Sequence, residues 1–314
     1  MGIAFVFPGQ GSQSVGMLGA LAEAEPVVRE TFAIASGALG YDLWSLVATG
    51  PAERLNETER TQPAMLAAGI ASFEAWRARG GAAPDAVSGH SLGEFTALVA
   101  AGALDLGTAI ELVQFRGRVM QEAAPLGSGA VAAVLGLENA DVEAACREAA
   151  QGAVVEPVNY NSPGQIVIAG ERAAVTRAME AAKARGAKRT VLLPVSVPVH
   201  SSLMQGAARR LGEKLEHVAI AAPRIAYYSA VDARRHDDPD EIRALLVTQL
   251  ASPVQWTDTV RALIAAGMTT LVECGPGKVL TGLNRRIERA PGLAFHALED
   301  PASIDAARAA MQGE

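Results

Sequence analysis

Gly89-His90-Ser91-Leu92-Gly93 sets a serine in a G-x-S-x-G spacing. Ala86-Val87-Ser88 ahead of it reads as a short strand, and the Ala/Leu/Val-rich segment 92–102 behind it as a buried helix. A serine on so sharp a strand-to-helix turn stands exposed and strained, which is how a hydroxyl nucleophile is presented. Glycines suit the turn because a side chain would clash there. The following helix starts with free backbone N–H groups, and that of Leu92 is the natural donor to a developing oxyanion. The chemistry this points to is nucleophilic catalysis, with an acyl ester on Ser91, against the alternative of a turn that is only structural. The pentapeptide alone is a weak signal; its position between strand and helix gives it weight.

A serine hydroxyl needs a base, and the chain has five histidines. His90 adjoins Ser91 and is expected to point away from the hydroxyl. His217, His236 and His296 lie in charged or terminal surroundings and are expected at the surface. His200 follows Pro194-Val195-Ser196-Val197-Pro198-Val199, where two prolines fix the approach of the chain. It is the candidate base. No acidic residue between Ser91 and His200 occupies an obvious triad position, which points to a dyad whose histidine is oriented by something else, such as backbone carbonyls. Arg116 lies in the run Leu112-Val113-Gln114-Phe115-Arg116-Gly117-Arg118-Val119-Met120, whose apolar face predicts partial burial. A buried guanidinium needs an anion, and if no protein carboxylate serves, a substrate carboxylate could.

The elements that must position these residues follow from the apolar pattern. Residues 3–7 read as a buried strand ended by Pro8, and helices are expected near 16–38, 62–79 and 105–122. After Gly127 the rhythm changes. Strands at 130–137, 154–160, 165–169 and 187–193 alternate with helices at 139–150 and 171–185. That β-α-β-β-α-β order is a ferredoxin-like unit, inserted between Gly127 and Pro194. The α/β pattern then resumes with helices at 201–215, 239–250 and 254–266 and a strand at 269–273, followed by a further helix. The large α/β domain is thus built from both ends of the chain.

Composition narrows the class. The chain has 314 residues, half of them hydrophobic and 19% charged, enough for a sizeable core of one or two domains. A net charge of -7 argues against a general nucleic-acid binder. The opening segment has no signal-peptide pattern and no window is long and apolar enough to span a membrane, so a cytoplasmic protein is expected. Cys146 and Cys274 form neither a disulfide framework nor a zinc spacing, and are expected as reduced, buried thiols.

Seven ordered motifs carry a resemblance over nearly the whole chain. They are Phe7-Pro8-Gly9-Gln10-Gly11-Ser12-Gln13, Thr61-Gln62-Pro63-Ala64, Gly89-His90-Ser91-Leu92-Gly93-Glu94 and Val158-Asn159-Tyr160-Asn161-Ser162-Pro163-Gly164-Gln165. Further on stand Pro194 to Ser201, Gln249-Leu250-Ala251-Ser252-Pro253-Val254-Gln255-Trp256, and Glu273-Cys274-Gly275-Pro276-Gly277-Lys278-Val279-Leu280. The chain resembles the malonyl-CoA:acyl carrier protein transacylases of bacterial fatty acid synthesis and, less closely, the acyltransferase domains of polyketide synthases.

The resemblance implies an α/β fold: an α/β-hydrolase-like core with a parallel sheet, plus an inserted ferredoxin-like (βαββαβ) small subdomain. Residues 1–126 and 195–314 would form the large part and 127–194 the small one. It implies Ser91 as nucleophile and His200 as base, the latter held by the backbone carbonyl of Gln249. The N–H groups of Gln10 and Leu92 would form the oxyanion hole, Arg116 would pair with the malonyl carboxylate, and Gln62 and Asn161 would line the site. No cofactor or metal is implied. Expected partners are malonyl-CoA and, transiently, acyl carrier protein. No nucleic acid or membrane partner is expected, and the protein is expected to be a monomer. Arg285 and Arg286, with Lys188 and Arg189 on the inserted unit, are candidates for docking an acidic carrier. Val197-Pro198-Val199-His200 follows the stand-alone fatty acid pattern rather than that of polyketide acyltransferases. The rival readings are a serine esterase or thioesterase, which needs no carboxylate-binding Arg116, a trans-acting polyketide acyltransferase with another extender unit, and a non-catalytic carrier-binding scaffold.

Overall fold

The computed structural model describes residues 2–124, 127–195 and 197–312. Its strands, in chain order, are β1 (Gly2–Phe7), β2 (Ala86–Gly89), β3 (Gly129–Leu135), β4 (Val155–Ser162), β5 (Gln165–Glu171), β6 (Arg189–Leu192), β7 (Ala226–Tyr228), β8 (Arg235–His236), β9 (Met268–Cys274) and β10 (Ala294–Leu298). Among the described residues they form a six-stranded sheet of order β10-β9-β1-β2-β7-β8 and a four-stranded sheet of order β4-β5-β3-β6. The first is parallel except for β8. The second is antiparallel.

The large sheet is covered on both faces, so its central strand reads as a continuous apolar run. Alternate side chains of β1 serve two cores. Ile3, Phe5 and Phe7 join Phe73, Trp76 and Phe95 on one side. Ala4 and Val6 join Trp256, Leu263 and Leu271 on the other. Phe5 meets Phe73 and Trp76 edge-on at 5.8 and 5.7 Å, a favoured ring geometry.

The smaller sheet lies wholly between Gly129 and Leu192, and its elements follow the expected β-α-β-β-α-β order. One face packs under helices Asn139–Ala150 and Arg172–Ala184. The other presents Val131, Val158, Val167 and Ala169 with Leu193 and Val195. Backbone hydrogen bonds pin it to the large sheet's side of the molecule: Tyr160 N–H donates to Val254 O at 2.9 Å and Val254 N–H to Val158 O at 2.9 Å. The expected boundary at residue 126, and Ser196 on the approach to His200, lie outside the described residues.

Two differences from the sequence reading have local causes. The helix expected over 16–38 is two, Gly19–Ala24 and Pro26–Leu39, with Glu25 extended between them. Proline disfavours the helical region for the residue before it and is itself suited to a first helical turn. The helix expected from residue 62 begins a turn earlier, as Thr58–Ala78. Strands β7, β8 and β10, helices Leu43–Thr49 and Ala52–Leu55, and the last helix Pro301–Gln312 were not anticipated.

Candidate active site

Ser91 sits just beyond β2 and ahead of helix Gly93–Ala100. Its φ is 54°, in the left-handed region that a side chain rarely adopts. The turn is closed by Gly93 N–H donating to His90 O at 2.9 Å and Glu94 N–H to Ser91 O at 3.0 Å. Neighbouring backbone crosses here at contact distance. A Cβ on Gly89 would lie 1.9 Å from Gly93 C, and one on Gly93 would lie 2.0 Å from Phe7 O. Steric exclusion thus accounts for both glycines of the pentapeptide.

Ser91 Oγ lies 2.7 Å from His200 Nε2, and His200 Nδ1 lies 2.7 Å from the backbone oxygen of Gln249. A carbonyl only accepts, so Nδ1 carries the proton and Nε2 is free to accept from the serine hydroxyl. The carbonyl takes the place of a triad acid. His200 itself has φ 64° and is 2% exposed. Burial, and then the charge of Arg116, push its pKa down to about 3.

The sign of that shift makes a prediction. An ordinary histidine becomes protonated, and useless as a base, below about pH 6.5. His200 stays neutral there, so the acylation kcat is expected to remain flat as pH falls through that value and to decline only well below it. The unfolded chain does take up this proton, so stability from neutral His200 is present above about pH 6.5 and lost as pH falls toward the folded value. Rapid-quench acylation rates against pH check the first part; a midpoint near the ordinary histidine value would contradict it.

Arg116, on helix Leu106–Ala123, is 1% exposed. A Cβ on the neighbouring Gly117 would lie 2.7 Å from Glu59 Cα, so this helix rides close on Thr58–Ala78. That approach brings Gln62, 1% exposed, to the guanidinium. Arg116 Nη1 donates to Gln62 Oε1 at 2.9 Å, and Nη2 to Gln249 Oε1 at 2.9 Å and Ser91 Oγ at 3.2 Å. Its Nε has no hydrogen-bond partner among the described residues. Among the described residues no carboxylate pairs with it within 4.0 Å. Burial lowers its pKa to about 10 and the charge of Glu94 opposes that, so it remains a cation at neutral pH.

Ser91, His200, Arg116, Gln62, Gln10 and Leu92 all line one pocket of about 370 Å³. Its lining also takes in the small sheet's second face, at Val131 and Val167, with Leu193 just past β6. Asn161, 8% exposed, accepts a hydrogen bond from His90 Nε2 at 2.8 Å. His90 thus spends its ring on Asn161 rather than on Ser91. The docking candidates stand apart from the pocket lining. Arg285, Arg286, Lys188 and Arg189 are all exposed. Arg286 Nη1 donates to Gln165 Oε1 at 2.7 Å, and Gln165 lines the pocket, so this arginine is at its rim. Arg285 Nη2 donates to Phe295 O at 3.1 Å.

Of the remaining histidines, His217 is exposed, while His236 and His296 are partly buried rather than at the surface. His236 is drawn in by Asp232 and Glu241, at 3.0 and 3.2 Å, and His296 by its place in β10. Both cysteines are free and buried, and burial holds both thiols protonated. Among the described residues no three His, Cys, Asp or Glu side chains converge as metal ligands, and no helix is long and apolar enough to cross a membrane. Sequence reasoning missed Glu94 and Asn159. Asn159 Nδ2 lies 3.4 Å from His90 Nε2. Both residues stand inside quoted motifs, which was the available signal. It also missed that the Gln249 side chain, and not only its carbonyl, belongs to the site: Nε2 donates to Ser91 O at 3.0 Å.

A serine on a strand-to-helix turn, hydrogen-bonded to a neutral imidazole in an α/β fold, is the arrangement of an acyl-transferring enzyme. The acyl transferase domain model matches residues 4–291. The malonyl CoA-acyl carrier protein transacylase of Escherichia coli K12 is 53% identical over 304 residues, covering 97% of this chain and 98% of that protein. The crystal structure of an acyl carrier protein S-malonyltransferase from Vibrio cholerae superposes with a TM-score of 0.95 at 52% identity, over 98% of this chain and all of that one. A malonyl-transacylase solved in complex with a type II PKS acyl-carrier protein gives 0.96 at 51% identity, over 98% and 99%. The chain belongs to the acyl transferase domain family and, within it, to the malonyl-CoA:acyl carrier protein transacylases.

Proposed function

We propose that this chain moves the malonyl group from malonyl-CoA to the phosphopantetheine thiol of holo acyl carrier protein, for fatty acid synthesis, through an ester on Ser91. Ser91 Oγ attacks the thioester carbonyl while His200 Nε2 takes its proton. The oxyanion is received by the N–H groups of Leu92 and Gln10. Collapse breaks the C–S bond, and the CoA thiolate leaves with the proton from His200. The carrier thiol then gives its proton to His200, attacks the ester and returns the serine alkoxide, which recovers that proton. The cycle is ping-pong and needs no cofactor.

The observation that carries the reading is Arg116. A buried guanidinium 3.2 Å from the nucleophile, with no carboxylate partner among the described residues, is a receptor for a carboxylate on the acyl group. An esterase or thioesterase has no use for it, nor has a non-catalytic scaffold. Gln62 and Gln249 hold it in place, and Asn161 acts on the wall through His90. The same reading takes residues 127–194 as a small subdomain closing the pocket over a core of 1–126 and 195–314, in a monomeric, cytoplasmic protein.

The test is intact mass spectrometry. Malonyl-CoA should add one malonyl group to the protein, and holo carrier protein should then remove it and gain the same mass. Loss of the adduct to water with carrier present would establish a thioesterase instead.

Arg285 and Arg286, with Lys188 and Arg189, are read as the landing site for an acidic carrier. Charge reversal of Arg285 and Arg286 to Glu is expected to raise the carrier KM about three- to tenfold, as rim charges govern encounter. Acylation by malonyl-CoA alone should be unchanged. Steady-state kinetics with carrier varied decide it, and an unaltered KM would remove these two residues from the docking surface.

A further inference from the structure

Glu94 is a carboxylate that the reaction above does not use. It lies in the first turn of helix Gly93–Ala100, three residues after the nucleophile, and is 0% exposed. Its Oε2 accepts from Tyr227 Oη at 2.6 Å and its Oε1 from Ala230 N–H at 2.6 Å, with Ser229 Oγ at 3.4 Å from both oxygens. A group bonded in this way resembles a clamp between the nucleophile helix and the end of β7. Its surroundings make it more than that. The Gln249 side chain accepts from Arg116 Nη2 and donates to Ser91 O, the same carbonyl that accepts from Glu94 N–H at 3.0 Å, so it stands between the guanidinium and the turn that carries this carboxylate. Glu94 is also the anion whose charge is felt by the Arg116 guanidinium. It does not line the pocket, so it acts on substrate only through others.

We propose that Glu94 is a positioning residue that tempers the hold of Arg116 on the malonyl carboxylate, supplying from beyond contact distance the counter-charge that the guanidinium lacks within it. Gln249 is neutral and relays orientation without charge. With Glu94 ionised, the malonyl carboxylate enters a site whose cation is already partly balanced. With Glu94 neutral, it meets an unbalanced cation and binds more tightly. The proposal rests on the reading of Arg116 given above.

The malonyl carboxylate is remote from the carbonyl under attack. A change in its hold acts equally on bound substrate and transition state, and shows in KM rather than kcat. Glu94→Gln is therefore expected to lower the KM for malonyl-CoA about three- to thirtyfold, the span for a unit charge at an effective dielectric of about 20. Any change that Glu94→Gln makes through the nucleophile helix falls on both donors alike, so the malonyl:acetyl ratio of KM values is the readout. A clamp alone predicts otherwise: both donors lose rate together.

The unaltered enzyme gives a second measurement, independent of whether the variant folds. Burial raises the Glu94 pKa to about 7. The groups facing it are Tyr227 from β7, held neutral by burial, Arg116 from helix Leu106–Ala123, and the neutral Ser229, Ala230 N–H and Gln249. The malonyl:acetyl ratio of kcat/KM should fall as pH rises from about 6 to about 8, since Ser91 and His200 act alike on both donors and cancel. In Glu94→Gln the slope should vanish. Equal loss for both donors, or a ratio flat with pH in the unaltered enzyme, overturns the proposal. Arg116→Ala, run alongside, separates the two levels: if it keeps the malonyl preference, the reading of Arg116 itself fails and this proposal falls with it.

Discussion

Ser91→Ala, mixed with malonyl-CoA, is expected to keep its unmodified mass at every time point. The argument is geometric. Ser91 Oγ is the hydroxyl that both His200 Nε2 and Arg116 Nη2 reach, at 2.7 and 3.2 Å. Alanine is compatible with the turn only at the strain serine already bears, at φ 54°, so circular dichroism and melting temperature should change little. His200→Ala is the partner test. It leaves the nucleophile and removes its base, and general-base catalysis is worth about 10²–10⁴ in rate. Slow acylation is thus expected to persist in His200→Ala where none occurs in Ser91→Ala. Equal adduct on Ser91→Ala and the unaltered chain would place the acyl group elsewhere.

Arg116→Ala is expected to depress malonyl loading about 10- to 150-fold more than acetyl loading, the equivalent of a charge-assisted hydrogen-bond pair of roughly 1.5–3 kcal/mol. The comparison of donors is essential. Removing the guanidinium also leaves Gln62 Oε1 and Gln249 Oε1 without their donor and withdraws a contact from Ser91 Oγ. Those losses slow both substrates alike, so only the ratio of kcat/KM values reports on the carboxylate. Arg116→Lys keeps the charge but not the planar fork, and should restore part of the preference at most. Equal losses for malonyl and acetyl would favour a serine esterase or thioesterase.

The nucleophile turn was legible because its constraint is local. Glycine, serine and the apolar helix are contiguous, and the steric need for Gly89 and Gly93 follows from a turn of that sharpness. His200 was legible by elimination among five histidines and by its prolines. The inserted unit was legible because its strands and helices alternate within one short stretch. What was hidden depends on contacts distant in sequence. Glu94 meets Tyr227 across 133 positions, and the three-residue β7 is too short to show a period. The Gln249 side chain is invisible in the same way, since nothing near residue 249 announces an arginine from helix Leu106–Ala123. The break at Glu25 was readable from Pro26 and was passed over in favour of the longer apolar pattern.

Strand β1 lies at the middle of the large sheet, between β2 and β9, with Ala4 beside both Ala86 and Leu271. Its two neighbours are therefore synthesised at very different times. A nascent chain can pair β1 with β2 early, but one flank of β1 stays open until β9 leaves the ribosome. Such long-range pairing is slow and leaves an unpaired apolar edge exposed meanwhile. The small antiparallel sheet, with all its partners within one stretch, is under no such delay. Translation thus imposes an order of maturation: the insert can settle first, the nucleophile turn acquires its final backing late, and Gln249, whose carbonyl lies 2.7 Å from His200 Nδ1, arrives in the last quarter of the chain.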